Sequence, residues 1–470
     1  MITKLVSLLG IMTVLLSGCT LIPKYTRPEA PIPADWPKGP AYKESTATSE
    51  AKLPTDVKWQ DFFIDERLKE VITLALNNNR DLRVAALNIE KARALYRIQR
   101  AELFPTIDAV GGVYKERMPA DISGTGHRMT VEEYRVNLGI SSWELDFFGR
   151  IRSLKKKALE EYLATEQARR SAQISLVAEV AGAYLSLAAD RESLKLTEST
   201  LDAQQASYDL IRRRYEVGLV SELDLQQAQT RVDAAKVDKA LYIRLAAQDE
   251  NALNLLVGAP VPTELLPEDL ETVQPVARDF SSGTSSEVLL KRPDILQAEN
   301  LLKAANANIG AARAALFPRI SLTAAAGTAS SDLSGLFKAG SGAWSYAPQL
   351  IMPIFDSRLW WAVKSVKADR EITLTQYEKA IQTAFREVAD ALAVSGTVEE
   401  QLSAQQSLVN ASSETYRLAN VRYLKGIDSY LSVLDAQRSL YAAQQGFVSI
   451  RLATITSRIR LYAVLGGGSD

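Results

Sequence analysis

The sequence predicts a membrane β-barrel shared between several chains and joined to long α-helices, with four strands and two helical hairpins in each chain. Three observations carry this expectation. The chain is written twice, each copy holds a proline-free stretch with a seven-residue apolar stripe, and each copy holds short segments of alternating polarity.

The 470 residues carry a formal net charge of −1, with 47% hydrophobic and 24% charged side chains. That composition is ordinary for a folded protein and gives no electrostatic reason to expect nucleic acid as a partner. The N-terminus reads as a targeting segment. Lys4 supplies a positive start, and Leu5 to Leu16 form an apolar run too short to span a bilayer, so residues 1–18 are expected to be a secretory signal peptide. The run closes on Leu16-Ser17-Gly18-Cys19, a lipobox-like tetrapeptide that makes Cys19 the expected lipid-bearing N-terminus of the mature chain. Cys19 is the only cysteine, so no disulfide is expected within the chain. No later stretch reaches eighteen uncharged apolar residues, because Glu179 interrupts the run from Leu176 to Ala189. A transmembrane helix is therefore not expected, and membrane passage falls to β-strands.

The repeat is legible in paired landmarks. Arg100-Ala101-Glu102-Leu103-Phe104-Pro105 matches Arg313-Ala314-Ala315-Leu316-Phe317-Pro318 at an offset of 213, and Arg214-Tyr215-Glu216-Val217-Gly218 matches Arg422-Tyr423-Leu424-Lys425-Gly426 at 208. A loop between the landmarks can absorb the difference. Residues 149–216 hold no proline, and Val180, Leu187, Leu194, Leu201, Tyr208 and Tyr215 recur every seven residues. Val388, Ser395, Leu402, Val409, Tyr416 and Tyr423 repeat the ladder. A sustained seven-residue stripe is the pattern of helices packed as a coiled coil. At 1.5 Å per residue such a helix reaches roughly 100 Å. Gly218 and Gly426 are expected to end these helices as left-handed caps, with return helices over 221–257 and 429–465. By itself the stripe also fits a soluble helical stalk.

The strands follow each Leu-Phe-Pro. Tyr134, Val136, Leu138 and Ile140 alternate with Arg135, Asn137 and Gly139, and Ile320, Leu322, Ala324 and Ala326 alternate with Arg319, Ser321, Thr323 and Ala325. Trp344, Tyr346, Leu350, Met352 and Ile354 share one parity. Period two marks a strand, and runs near ten residues suit a membrane β-strand. The stretch from Thr106 to Glu116 alternates poorly. The expected hairpins pair 106–116 with 130–145 and 318–328 with 344–355, around tips 117–129 and 329–343 that are rich in Gly and Ser. A soluble sheet would alternate in the same way. In lipid, however, four strands cannot close a barrel, and open edges would leave backbone groups unpaired. Two copies supply eight strands and a filled interior; three supply twelve and room for a channel, so a homotrimer is the simplest conduit.

The expected organisation is thus 1–18 signal peptide, 19–64 extended N-terminal segment, 65–257 first repeat with the hairpin 106–145, 258–287 equatorial linker, and 288–470 second repeat with the hairpin 318–355. Enzyme motifs are missing: no G-x-S-x-G, G-x-x-x-x-G-K or G-x-G-x-x-G pattern occurs. The single histidine, His127, falls in a predicted loop with no cysteine nearby, so neither a catalytic role, a cofactor nor a metal site is expected.

Several stretches resemble the TolC-like outer-membrane factors, within them the OprM-like lipoprotein branch, with CusC-type channels also similar. They include Asn78-Asn79-Arg80-Asp81-Leu82-Arg83, Trp143-Glu144-Leu145-Asp146-Phe147-Phe148-Gly149-Arg150, Arg292-Pro293-Asp294-Ile295, Ala307-Asn308-Ile309-Gly310-Ala311-Ala312-Arg313 and Tyr430-Leu431-Ser432-Val433-Leu434-Asp435-Ala436-Gln437. The resemblance covers nearly all of the mature chain. It implies a trimer with a twelve-stranded β-barrel and a twelve-helix periplasmic α-barrel. It also implies docking to a periplasmic adaptor and an inner-membrane efflux pump, with outer-membrane lipids around the strands. The motif positions matched by Leu431 and Asp435 form the narrowest rings of the closed pore in the family, and Asp224 and Tyr423 match positions of the network that holds the tips together. Ser432 departs from the pattern, standing where some relatives carry a second aspartate. Leu431 and Asp435 are four apart and share a helix face. The turns Gly218–Ser221 and Gly426–Ser429 are the expected adaptor-docking tips. The implied function is a passive exit duct for drugs or other small toxic compounds, with a metal-ion outlet or a type I protein secretion outlet as alternatives. Only five methionines are present and none clusters in the predicted lumen, which favours organic cargo.

Mass spectrometry of the mature N-terminus is expected to find a diacylglyceryl-modified Cys19; an unmodified or absent Cys19 would refute the lipid anchor.

Overall fold

The computed structural model describes residues 20–42, 57–273 and 285–468, so the expected signal peptide and Cys19 lie outside the described residues. The described residues fall into two compact units, one with residues 20–29, 88–165 and 297–377, the other with the described residues of 30–87, 166–296 and 378–468. In chain order the elements are α1 (Trp59–Phe62), α2 (Glu66–Asn78), α3 (Arg80–Ala101), β1 (Ile107–Met118), β2 (Met129–Leu145), α4 (Arg150–Glu216), α5 (Glu222–Val257), α6 (Pro293–Ala314), β3 (Arg319–Ser330), β4 (Gly342–Ile351), α7 (Ser357–Leu424) and α8 (Tyr430–Val464).

The first unit carries the sheet. Its four antiparallel strands run in the order β1-β2-β3-β4, with Val113 opposite Tyr134, Leu138 opposite Ala326 and Ala324 opposite Tyr346. The poorly alternating first segment is a full strand, paired from Ile107–Ile140 to Met118–Met129. Two corrections to the sequence expectation follow from local chemistry. The strand expected over 130–145 contains a bulge, where Ile140 pairs with Ala324 but Trp143 pairs with Leu322; the extra residue brings Trp143 onto the same face as Ile140, which strict alternation would place on opposite faces, and Ser142 takes φ 54°. The strand expected over 344–355 runs from Gly342 to Ile351, because its partner β3 begins at Arg319, just after Pro318, and Arg319–Ile351 is the last pair of the ladder, so Met352 and Ile354 lie beyond it. At the base of the sheet the buried Glu144 accepts both ends of the Arg150 fork, at 2.9 and 2.8 Å, and pairs with Arg319 at 2.8 Å. One carboxylate thereby ties β2 to the starts of α4 and β3.

The N-terminal strap lies along α6. The Leu21 carbonyl accepts from Arg313, the Pro23 carbonyl from Asn306 at 2.8 Å, and Tyr25 and Arg27 both donate to the buried Glu299. Gly310 lets the strap approach this closely, since a Cβ there would stand 2.5 Å from Ile22 Cγ1.

The second unit holds the helical hairpins, α4–α5 and α7–α8. Val180, Leu187 and Val388 of the seven-residue stripe are fully buried, whereas Leu201, Tyr208, Leu402 and Tyr416 are half-buried. One chain therefore covers the start of the stripe and leaves its far end partly open. The core also takes Val57, Trp59, Phe62 and Phe63 from the proline-rich N-terminal segment, and Val261, Leu266, Leu270 and Val273 from the linker. The N-terminal segment expected to be extended contains α1, whose aromatic residues are drawn into that core. One eighteen-residue window of α4 has a mean hydropathy of 1.4, enough by composition for a membrane span, against the sequence expectation. Its apolarity has another outlet: Val177, Val180, Ala181, Tyr184 and Leu185 are core residues.

Arg292 pins three chain segments in this unit. Its guanidinium donates to Asp294 at 3.0 and 2.7 Å, to Glu387 of α7 at 2.9 Å and to the Val464 carbonyl at the end of α8 at 2.6 Å. Removing one member of such a buried network strands the others. Arg292→Met is expected to cost about 3 kcal/mol, read as a lower unfolding temperature of the detergent-solubilised protein. An unchanged unfolding temperature would remove Arg292 from this role.

Candidate functional site

The candidate site is the pair of helical turns at the far ends of the two hairpins. Both turns reverse through a left-handed glycine, Gly218 at φ 77° and Gly426 at φ 72°. The Gly218 and Leu219 amides donate back to the Tyr215 and Arg214 carbonyls at 2.9 Å, and Gly426 and Ile427 repeat the pattern onto Tyr423 and Arg422. This closes the last carbonyls of α4 and α7, and a side chain at either glycine would meet the steric cost of positive φ.

The starts of the return helices differ. Ser221 and Asp224 form a complete capping box: the Asp224 amide donates to Ser221 Oγ at 3.2 Å, and Asp224 Oδ2 accepts from the Ser221 amide at 3.1 Å and hydroxyl at 2.7 Å. Ser429 occupies the equivalent N-cap without a side-chain capping bond, and the residue equivalent to Asp224 is Ser432, too short to reach back. The second turn is braced otherwise, by the Arg422 fork on Asp428 at 2.5 and 3.1 Å, which holds the Asp428 carboxyl below its ordinary range.

Behind the turns the two hairpins meet in a small core of Ile211, Ala228, Tyr430, Val433 and Leu434. The link between hairpins runs through Tyr423, whose hydroxyl accepts from Arg214 Nη1 at 3.1 Å and whose ring lies 5.2 Å from that of Tyr430. Burial, then the neighbouring Tyr423 and Tyr416, pushes Tyr430 up to about 12. Within the chain Asp224 caps its own helix, so at the tips a hydrogen bond between the hairpins is supplied by Tyr423 and Arg214. Leu431 is 51% exposed, and Asp435 is exposed beside Arg438, 3.4 Å away. Both side chains of the expected gate thus point away from this core. The sequence reading overlooked Val217, Leu219, Leu424 and Ile427, which flank the turn glycines and are all more than half exposed. Their signal was available: apolar residues on both sides of a turn that has nothing of its own to bury them against. Among the described residues no group of three or more His, Cys, Asp or Glu side chains is arranged to hold a metal ion.

A four-stranded sheet with two free edges, joined in one chain to two long helical hairpins with apolar tips, defines a subunit of an outer-membrane channel. The chain belongs to the outer membrane efflux protein family, whose model matches residues 71–259 and 284–467. It is 50% identical over 468 residues to the toluene efflux pump outer membrane protein TtgC of Pseudomonas putida, covering 99% of this chain and 96% of the relative. It is equally 50% identical, over the same coverage, to the antibiotic efflux pump outer membrane protein ArpC of Pseudomonas putida. Among solved structures, the open state of the Neisseria gonorrhoeae MtrE outer membrane channel superposes with a TM-score of 0.86 at 36% identity, over 96% of this chain and 99% of that one.

Proposed function

We propose that the chain is the exit duct of a tripartite efflux pump, and that three copies build it. The observation that carries the assembly is the sheet with free edges at β1 and β4. Three such sheets give twelve strands and a lumen, whereas two give a barrel filled by side chains. Four long helices from each copy, α4, α5, α7 and α8, then line a twelve-helix tube, with the open side of the seven-residue stripe covered by neighbouring copies. Cys19 bears the lipid that anchors the mature chain in the outer membrane. The turns at Gly218, Ser221, Gly426 and Ser429, with the exposed apolar residues Val217, Leu219, Leu424 and Ile427 around them, receive the periplasmic adaptor that connects to the inner-membrane pump. Cargo is small organic compounds. Relatives named for toluene and for antibiotics are equally similar to this chain, which supports a duct that passes what its pump delivers.

The gate lies at the tips. In a threefold tube the exposed Leu431 side chains form an apolar ring and the Asp435 carboxylates a ring of like charge that attracts cations. Tyr423, bonded to Arg214, and Asp224, capping α5, hold the hairpins in the closed arrangement. Conductance of purified trimers in planar bilayers tests this. Leu431→Ala is expected to raise conductance severalfold, Asp435→Ala to weaken cation preference, and the double variant to do both. Wild-type conductance and selectivity in all three variants would move the gate elsewhere.

A further inference from the structure

Midway along the first hairpin, Arg191 of α4 and Glu250 of α5 pair at 3.3 Å, which brings the adjacent Asp190 and Asp249 to the same level of the two helices, where each carboxyl acts on the other. Asp249 Oδ2 is shielded from solvent and accepts from no donor. Two bare carboxylates cannot bond to one another, but a proton on Asp190 supplies the missing donor.

The internal repeat provides a control within the same chain. The offset of 208 that places Gly218 on Gly426 also places Asp190 on Val398 and Asp249 on Ser457. The residues next to them confirm the register. Arg191 pairs with Glu250 at 3.3 Å, and the equivalent Glu399 and Arg458 pair at 3.7 Å with the charges exchanged. The second hairpin thus keeps the flanking ion pair but fills the carboxylate positions with Val398 and Ser457, 5% and 7% exposed. Ser457 satisfies its own hydroxyl on the Thr454 carbonyl at 2.8 Å. Helical packing at this level does not require carboxylates, yet the first hairpin has two.

The surrounding charges are committed to other partners. On α4, Arg191 also donates to the Pro267 carbonyl at 2.7 Å, Glu192 accepts from Arg451 of α8 and from the Leu270 amide, and Lys195 donates to Asp269. On α5, Tyr242 lies within electrostatic reach of Asp190 and of Asp238, and its hydroxyl accepts from Gln445 of α8. Among the described residues no cation pairs with Asp190 or Asp249.

We propose that Asp190 and Asp249 form a proton-operated latch: with one proton shared they clasp α4 to α5, and with both ionised they repel and loosen the first hairpin but not the second. Burial, then the Asp249 charge and hydrogen bond, pushes Asp190 from 3.8 up to about 6, and burial raises Asp249 as well. The folded value lies above the ordinary one, so the stabilisation is complete below about pH 4 and is lost as pH rises to about 6. The device gives the two hairpins of one pseudo-symmetric chain different stiffness at neutral pH.

Amide hydrogen exchange on the full-length protein in detergent, at about pH 5 and about pH 7 and corrected for intrinsic exchange chemistry, reads the two hairpins separately. Wild-type segments around Asp190 and Asp249 are expected to lose protection by up to about tenfold between the two conditions. The segments around Val398 and Ser457 are expected to hold theirs. Asp190→Asn, which keeps a donor for Asp249 at every pH, is expected to flatten the response, as is the double change Asp190→Val with Asp249→Ser that copies the second hairpin. If the double variant does not fold, Asp190→Asn decides alone. Equal wild-type protection in both conditions, or a full response remaining in Asp190→Asn, would overturn the latch.

Discussion

The free edges of β1 and β4 set the constraint on which the rest of the structure depends. A strand edge in water can hydrogen-bond to solvent; the same edge in the hydrocarbon core leaves N–H and C=O groups unpaired, at several kcal/mol each. Every residue of β4 is exposed, including Trp344 at 82%, and the outer face of β1 is open as well. The sheet of one chain is therefore an incomplete object, and what completes it must present the same backbone geometry. A copy of the same chain meets that requirement. The helices carry a parallel deficit, since the far end of the seven-residue stripe is only half-buried. Strand pairing and helix packing thus call for the same neighbours.

Polar pins set the geometry at the points where chain segments converge. Glu144 fixes the strands to the helices, Glu299 holds the strap, and Arg292 gathers the starts and ends of helices. Each is a charge shielded by good partners, so each specifies one arrangement more than it adds net stability. The two repeats differ where such pins occur. The first tip uses a Ser221–Asp224 box and the second an Arg422–Asp428 fork, and mid-hairpin the first carries Asp190 and Asp249 where the second carries the uncharged Val398 and Ser457. Duplication explains the shared frame, while these substitutions let the hairpins behave differently within it.

Much of this was legible in the residues because period and punctuation are local. The seven-residue stripe, the turn glycines and the alternation in β2, β3 and β4 located the elements to within a few residues. The bulge between Ile140 and Trp143 was not legible, because one extra residue flips side-chain parity without changing composition. The first strand hid its identity since Gly111 and Gly112 place one glycine on each face, and each face mixes apolar residues with charges, Ile107 and Val113 with Lys115, Val110 and Tyr114 with Asp108. The span-like window in α4 shows the reverse limit: hydropathy records that side chains want cover without saying whether lipid or protein supplies it. Partners far apart in sequence, such as Tyr423 with Arg214 or Arg292 with Val464, leave no trace in local pattern.

The number of copies in the closed assembly tests the central claim most directly. Native mass spectrometry of the protein released gently from detergent is expected to give a single species of three lipid-bearing chains, the copy number that turns a four-stranded sheet into a twelve-stranded barrel with a lumen. A stable species of two chains, or a folded single chain inserted in lipid, would contradict it.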